Sequence, residues 1–245
     1  MAHPIGHLRR VICFALLSLA AVRLTWGQNA PASGPSVRFT VFSAKPITEL
    51  TYVSRIGGPP QKVVFQPTAR SARYEYRGPM PIRFVDATEG VAVAEAVIPA
   101  GMNNALLLFS PLEKAQGGIR YQVAVLDDSA ARQGPGGLAI INLSGLALEG
   151  TVNEHPITLK AGLNPPVAVT RAAIVTLTTV FKNRTYQSYT GNVTLGRNER
   201  ALMILFPPFR PGALEVQSRV LLDQPPGSAP APAPAPAAQP KRTTK

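Results

Sequence analysis

Cysteine, histidine and acidic residues are all scarce in this chain. Its 245 residues include one Cys, three His and 13 Asp plus Glu, against 25 Lys plus Arg, which gives a formal net charge of +12. A single cysteine excludes a disulfide scaffold and a cysteine-based structural zinc site. His3 and His7 lie at the start of the chain, so only His155 remains for acid–base or metal chemistry elsewhere. We therefore expect no metal and no cofactor.

Long helical patterns are also missing, whereas turn-forming residues are abundant. The chain has 25 Pro and 20 Gly, and short runs rich in Val, Ile, Leu, Thr and Phe lie between them. Such runs, bounded by turn residues, are typical of strands. The predicted strands are 37–42, 62–65, 72–76, 81–85, 91–97, 105–109, 120–126, 138–143, 148–152, 157–159, 167–170, 173–181, 185–190, 201–206 and 214–222. This pattern predicts an all-β protein built from immunoglobulin-like β-sandwiches.

Residues 1–27 have the parts of a secretory signal peptide. Arg9 and Arg10 precede an apolar run at 11–22, which is too short for a bilayer that takes about 20 residues. We expect cleavage after Gly27, which removes three Arg and no acid and so lowers the formal charge from +12 to +9. The product would be secreted or periplasmic, with no transmembrane segment. An uncleaved membrane anchor is the alternative interpretation.

Residues 225–245 form a tail rich in proline and alanine. The Ala-Pro repeats at 229–236 favour polyproline II and offer no side chains for a core. Lys241, Arg242 and Lys245 then give the tail a basic end. One interpretation is a solvated, disordered tail. The other is a spacer whose basic end contacts an anionic surface.

A fixed offset of 96 residues relates the two halves of the chain. It places Ala-Leu-Leu-Leu-Phe at 105–109 over Ala-Leu-Met-Ile-Leu at 201–205, and it matches Asp127 with Asp223. Chance similarity between apolar strands is the alternative explanation. As a repeat, the pattern predicts two tandem β-sandwich domains, 36–128 and 137–224, joined by a Gly-rich linker at 132–137.

The join between these halves carries a short pattern of its own. Asp127 and Asp128 are followed by the Gly-rich loop and then by Asn142, Leu143 and Ser144. In this respect the chain resembles uncharacterised secreted β-sandwich proteins of bacteria. The resemblance implies no activity and no site.

The groupings of residues that catalysis uses are missing from the sequence. Its acids are scattered, and the one adjacent pair, Asp127 and Asp128, would point to opposite faces where a strand enters a turn. His155 precedes a proline in a predicted hairpin turn. No Gly-x-Ser-x-Gly, Ser-x-x-Lys or phosphate-loop motif is present. We expect a protein that is not an enzyme, and an exported hydrolase with an Asp or Ser site is the alternative.

The richest polar segment combines arginine and tyrosine near residues 70–83. Such side chains can hold sugars or anionic polymers by charge-assisted hydrogen bonds and stacking. The candidate ligand-binding residues are Arg70, Arg73, Tyr74, Tyr76, Arg77 and Arg83. The competing interpretation is an ordinary sandwich strand, with its tyrosines in the core and its arginines in water.

Two functional hypotheses follow. In the first, the chain is an exported, non-enzymatic structural or adaptor component of the bacterial cell envelope, with an envelope protein as its partner. In the second, it binds carbohydrate or an anionic cell-wall polymer through the Arg/Tyr segment. Nucleic acid is not an expected partner, because no recognition motif is present and an exported protein rarely meets it.

Overall fold

The structure is a computed structural model that describes residues 36–224. The predicted signal peptide at 1–27 and the predicted tail at 225–245 lie outside these residues. Strands and their connections make up this part of the chain, and it contains no helix. The prediction of an all-β protein is therefore confirmed. Accordingly, the described residues offer no helix long and apolar enough to cross a bilayer.

Seventeen strands are present between residues 36 and 224. They are β1 (Ser36–Ser43), β2 (Leu50–Val53), β3 (Pro60–Val63), β4 (Tyr74–Arg77), β5 (Ile82–Asp86), β6 (Ala92–Ala96), β7 (Asn104–Gln116), β8 (Ile119–Asp127), β9 (Gly137–Asn142), β10 (Leu148–Val152), β11 (His155–Leu159), β12 (Gly162–Leu163), β13 (Val167–Ala168), β14 (Ala172–Phe181), β15 (Arg184–Thr194), β16 (Arg200–Phe206) and β17 (Gln217–Asp223).

The strands form four sheets, each drawn from one half of the chain. Sheet A has the order β4-β1-β7-β8 and sheet B the order β3-β2-β5-β6. Sheet C has the order β12-β9-β16-β17, with β13 also paired to β9, and sheet D the order β11-β10-β14-β15. The pairs β1–β7 and β9–β16 are parallel, and the other pairs are antiparallel.

Three apolar clusters hold the sheets together. One lies between sheets A and B, and a second lies between sheets C and D. The third joins sheet A to sheet C and consists of Phe42, Leu106, Leu108, Ala139, Ile141, Leu202, Ile204 and Leu221. We call this third cluster the inter-half core. It makes sheets A and C inner layers that are covered on both faces.

Burial on both faces explains why some strands are apolar at every position. In β7, Ala105, Leu107 and Phe109 point into the cluster between sheets A and B. Leu106 and Leu108 point the other way, into the inter-half core. A strand with one wet face would alternate apolar and polar residues, whereas a strand in an inner layer reads as a continuous apolar run.

The strands related by the offset of 96 occupy equivalent places. In sheet A, β7 is parallel to β1, with Ala105 opposite Phe39. In sheet C, β16 is parallel to β9, with Ala201 opposite Leu138. Each of these central strands is followed in its sheet by an antiparallel edge strand, β8 or β17.

One match made by the offset is shifted by a residue. The Asp128 N–H donates to the carbonyl oxygen of Asn104 at 3.0 Å, and Asp223 is the strand partner of Arg200. Since Asn104 and Arg200 are related by the offset, the counterpart of Asp223 is Asp128. The sequence match of Asp127 with Asp223 is wrong by this register.

The segment predicted as a linker, 132–137, is tied closely to the second half. Gln133 is buried, and its side-chain amide donates to the carbonyl oxygens of Gly137 at 2.9 Å and Ala201 at 2.7 Å. The Gly136 N–H donates to the carbonyl oxygen of Glu199 at 2.8 Å. These bonds fix the chain where it passes from sheet A to sheet C.

Candidate functional site

The predicted Arg/Tyr segment does not form one exposed face. Tyr76 is buried, and Tyr74 is half-buried against the core of the first half, so their rings are not free to stack on a ligand. Arg70 is also buried. Of the candidate ligand-binding residues, Arg73, Arg77 and Arg83 are exposed, and Arg83 lies on β5 in the other sheet.

The two tyrosine hydroxyl groups have partners within the protein. Tyr76 donates to the carbonyl oxygen of Pro79, and Tyr74 accepts a hydrogen bond from the Val64 N–H at 2.8 Å. Phe39 packs against Tyr74 with ring centroids 5.5 Å apart. The tyrosines therefore belong to the packing of the first half, as alternation along an ordinary strand requires.

Arg70 instead belongs to a largely buried group of charges where the two halves meet, of which Arg73 is the exposed member. We call this group the Arg–Asp cluster; its members are Arg70, Arg73, Asp128, Arg200 and Asp223. It spans both halves, because Arg70, Arg73 and Asp128 come from the first and Arg200 and Asp223 from the second. The strand ends that carry Asp128 and Asp223 are the equivalent positions established by the register above.

Arg200 bridges the two carboxylates of the cluster. Its Nη2 lies 2.9 Å from Asp128 Oδ1 and 2.8 Å from Asp223 Oδ2. Its Nη1 donates to the carbonyl oxygens of Asp128 and Gln133, both at 3.1 Å. The Arg200 side chain is 0% exposed, so its two terminal nitrogens bind protein groups in place of water, while its Nε has no hydrogen-bond partner among the described residues.

Arg70 and Arg73 complete the cluster from the other side. Arg70 Nη1 lies 2.6 Å from Asp128 Oδ1 and 3.6 Å from Asp223 Oδ2. Arg73 Nη2 lies 3.3 Å from Asp223 Oδ2 and donates to the carbonyl oxygen of Gln224 at 3.1 Å. Three guanidinium groups therefore surround two carboxylates, and the two most deeply buried cations each reach both anions.

The ion pairs of the cluster can hold the two halves together. A buried ion pair is weak support for stability by itself, but breaking one leaves a charge without water or a counter-ion, which costs several kcal/mol. The cluster thus favours one arrangement of the two halves.

Asp127 and Asp128 diverge as the sequence predicts. Asp127 is exposed, and its Oδ1 accepts a hydrogen bond from the Ser129 N–H at 2.9 Å, which begins the turn after β8. Asp128 turns inward to the Arg–Asp cluster.

His155, the first residue of β11, is exposed. Among residues 36–224 there is no group of three or more His, Cys, Asp or Glu suited to a metal ion.

A groove of about 440 Å³ opens on the outer side of the first half. We call it the Arg55 groove, and its lining residues are Val53, Arg55, Ile56, Tyr76, Pro79, Met80, Pro81, Arg83 and Val85. Its volume falls in the range of ligand pockets, about 300–1,000 Å³. It contains two of the predicted ligand-binding residues, Tyr76 and Arg83.

A tight turn after β2 presents Ile56 at the groove. The Gly58 N–H donates to the carbonyl oxygen of Arg55 at 2.9 Å, which closes the turn 55–58. Gly57 has a φ of 70°, the left-handed conformation that a type II turn needs at its third residue. The turn leaves the Ile56 side chain 82% exposed. The Arg77 N–H donates to the carbonyl oxygen of Ser54 at 2.7 Å, which fixes the turn to β4.

Beneath the groove, burial raises the pKa of Tyr52 to about 12, and the neighbouring Tyr74 adds to the shift. The raised pKa means that stability is fully present below pH 10 and is lost as the pH rises from 10 towards 12, because the unfolded chain releases this proton first. We expect a loss of roughly 2–3 kcal/mol across this window. Thermal melts at pH 9 and 11.5 measure it.

The variant Tyr52→Phe is the control for this pH dependence. It keeps the ring contact with Phe39, whose centroid lies 5.3 Å away, and removes the ionisable hydroxyl. The variant should lose less stability than the wild type between the two pH values. An equal loss in both proteins would assign the alkaline sensitivity to other groups, such as Tyr76, whose pKa is also raised by burial.

Sequence reasoning did not single out Arg200, Asp223, Arg55 or Ile56 as site residues. Arg200 directly precedes the apolar run of β16, and Asp223 ends the last strand, so each looks like a polar boundary of a strand. The signal available for the cluster was the repeat itself, because it pairs the ends of β8 and β17.

Comparison with known protein families and with curated proteins found no match to this chain in either set.

Proposed function

We propose that the chain is an exported, non-enzymatic β-sandwich protein that acts as a structural or adaptor component of the bacterial cell envelope. Its described part would comprise two tandem immunoglobulin-like domains, 36–128 and 137–224. The observation that carries the proposal is the Arg–Asp cluster, in which charges pair across the join between the halves: Arg200 with Asp128 at 2.9 Å and Arg70 with Asp223 at 3.6 Å.

A fixed arrangement of two domains suits an adaptor. The inter-half core and the Arg–Asp cluster together bind the two halves by apolar packing and by directional ion pairs. Surfaces on the two halves are then held at a constant distance and angle, so a partner that contacts both meets a preorganised surface. An enzyme would instead place its perturbed titratable groups in an accessible cleft.

The ends of the sequence support export and a position in the envelope. Residues 1–27 would direct the chain out of the cytoplasm, to a secreted or periplasmic location. Residues 225–245 would act as a spacer, whose basic end, Lys241, Arg242 and Lys245, can contact an anionic surface.

Co-sedimentation with isolated bacterial envelopes tests this function. The full chain should sediment with envelopes in about 0.15 M salt, because the proposed partner is one of their proteins and charge contacts persist at this ionic strength. Protease treatment of the envelopes should abolish the binding. If the chain stays in the supernatant, or binds protease-treated envelopes equally well, the adaptor proposal is wrong.

The second candidate function is binding of carbohydrate or an anionic cell-wall polymer. The observation that favours it is the exposure of Arg73, Arg77 and Arg83 in a chain with an excess of positive charge. Co-sedimentation with purified cell-wall polymer tests it, using the full chain and a chain that stops at Gln224. Binding lost with the tail would assign it to the basic end, and binding lost in Arg73→Ala/Arg77→Ala would assign it to the arginines.

A further inference from the structure

We propose that the Arg55 groove binds an extended acidic segment of a partner protein, with aliphatic side chains of that segment packed against Ile56 and Met80. This inference rests on the proposed adaptor function and names the site and the chemistry of the partner. It is carried by the chemistry of the groove's walls, by unpaired positive charge beside them, and by the exposed side chain at its rim.

Positive charge surrounds the groove without full compensation. Arg55 and Arg83 line it, and Arg77 lies next to Arg55 through a β-bridge. Within residues 36–224, no carboxylate oxygen lies within 4.0 Å of the guanidinium groups of Arg55 and Arg77. Arg83 pairs with Glu95 at 3.0 Å, but both side chains are largely exposed, so this pair is weak and can exchange for a ligand carboxylate. The groove thus favours an acidic ligand.

The walls between these arginines are aliphatic. Val53, Ile56, Met80 and Val85, with two prolines, supply most of the lining. Ile56 is 82% exposed and Val53 38% exposed, so both lose contact with water when a ligand covers them. Arginine and methionine beside exposed apolar surface are features of protein interfaces. The partner must therefore offer aliphatic side chains as well as carboxylates.

A peptide fits these walls better than a glycan or a bilayer. Sugars need a stacking ring and many hydrogen-bond partners, whereas the one ring in the groove, Tyr76, is buried and its hydroxyl is bonded to Pro79. Binding to a bilayer requires several protruding apolar side chains. The groove is concave, and among its lining residues with large apolar side chains only Ile56 is mostly exposed. An extended acidic segment can place carboxylates on the arginines and side chains in the groove.

A peptide library tests the proposal with the full chain. The probes are labelled octapeptides in which two Asp or Glu alternate with two Leu, Ile or Val, so that each face of the extended peptide carries both kinds of side chain. Binding is measured by fluorescence anisotropy at about 0.15 M salt. Parallel libraries replace the acids by Lys, or the aliphatic residues by Ser. Members of the first library should bind, and neither parallel library should. No binding by the acidic library overturns the proposal.

Variants then place the peptide in the groove. Arg55→Gln/Ile56→Ser should weaken binding at least about tenfold, because it removes a charge-assisted hydrogen bond and an apolar contact. Both side chains are exposed, so the melting temperature should not change. Arg184→Gln is the matched control, since Arg184 is an exposed arginine on β15 in the other half, and it should leave binding unchanged.

Three results would overturn the groove assignment. They are equal binding by Arg55→Gln/Ile56→Ser and wild type, stronger binding to vesicles of anionic phospholipid than to the peptides, and stronger binding to a polyuronic acid. Each leaves the adaptor function standing if the chain still sediments with untreated envelopes and not with protease-treated ones. Loss of envelope sedimentation together with intact peptide binding would instead remove the adaptor function and keep the groove.

Discussion

Replacement of Arg200 by methionine should lower the free energy of unfolding by about 3–5 kcal/mol. The variant keeps most of the side chain's volume but leaves Asp128 and Asp223 without the guanidinium that bridges them at 2.9 and 2.8 Å. Because the Asp128 side chain is 8% exposed and that of Asp223 20%, neither carboxylate recovers its full hydration. Chemical denaturation of the full chain, followed by circular dichroism, measures the loss.

A second change should recover part of this loss. In Arg200→Met/Asp223→Leu, the carboxylate that has lost its nearest cation is removed as well, while Arg70 and Asp128 remain paired at 2.6 Å. An apolar replacement of a buried pair is often neutral, whereas removal of one partner is not. Arg83→Met is the exposed control and should change stability by about 1 kcal/mol or less. If Arg200→Met behaves like Arg83→Met, the cluster does not hold the halves together.

Replacement of Phe42 by alanine should also cost about 3–5 kcal/mol. Phe42 is 0% exposed and belongs to the inter-half core together with Ile141 and Ile204 of sheet C. Its removal leaves a cavity between two sheets that are each fixed by a second core, so the surroundings cannot collapse to fill it. Urea denaturation gives the change in stability.

The matched control for Phe42 is the exposed phenylalanine at position 209. Phe209 is 83% exposed on the loop before β17, so Phe209→Ala should leave stability unchanged within about 0.5 kcal/mol. A loss at Phe42 no larger than the loss at Phe209 would mean that the two halves separate freely in solution. The comparison therefore isolates the contribution of the inter-half core.

The fold class follows from local patterns that are strong in this chain. Runs such as 105–109 and 201–205 are apolar at every position, and they form the doubly covered central strands β7 and β16. Strand β2 was not predicted, because it has only four residues and follows a segment broken by Pro46. Strand β12, with two residues, is too short to show any pattern. Such short strands form because neighbouring strands offer them hydrogen bonds, and the local sequence does not show those neighbours.

The candidate site is harder to predict, since its residues meet only through the packing of sheets A and C. Arg70 and Arg200 are 130 positions apart, and no local pattern tells a buried arginine from an exposed one. Alternation around Tyr74 and Tyr76 left both interpretations of the Arg/Tyr segment open. The structure buries Tyr76 and half-buries Tyr74, and binding through the exposed arginines stays a prediction. The Arg55 groove lies beside the turn 55–58, and most of its other lining residues reach the turn only through pairing between strands that are distant in the sequence.

Differential scanning calorimetry of the full chain tests the central claim, that the inter-half core and the Arg–Asp cluster make the two halves one unit. A single unfolding transition is expected, with a calorimetric enthalpy equal to the van't Hoff enthalpy, and in Arg200→Met that transition should move to lower temperature. Two separable transitions in the wild type, or a calorimetric enthalpy about twice the van't Hoff value, would show that the halves unfold independently and would contradict the account.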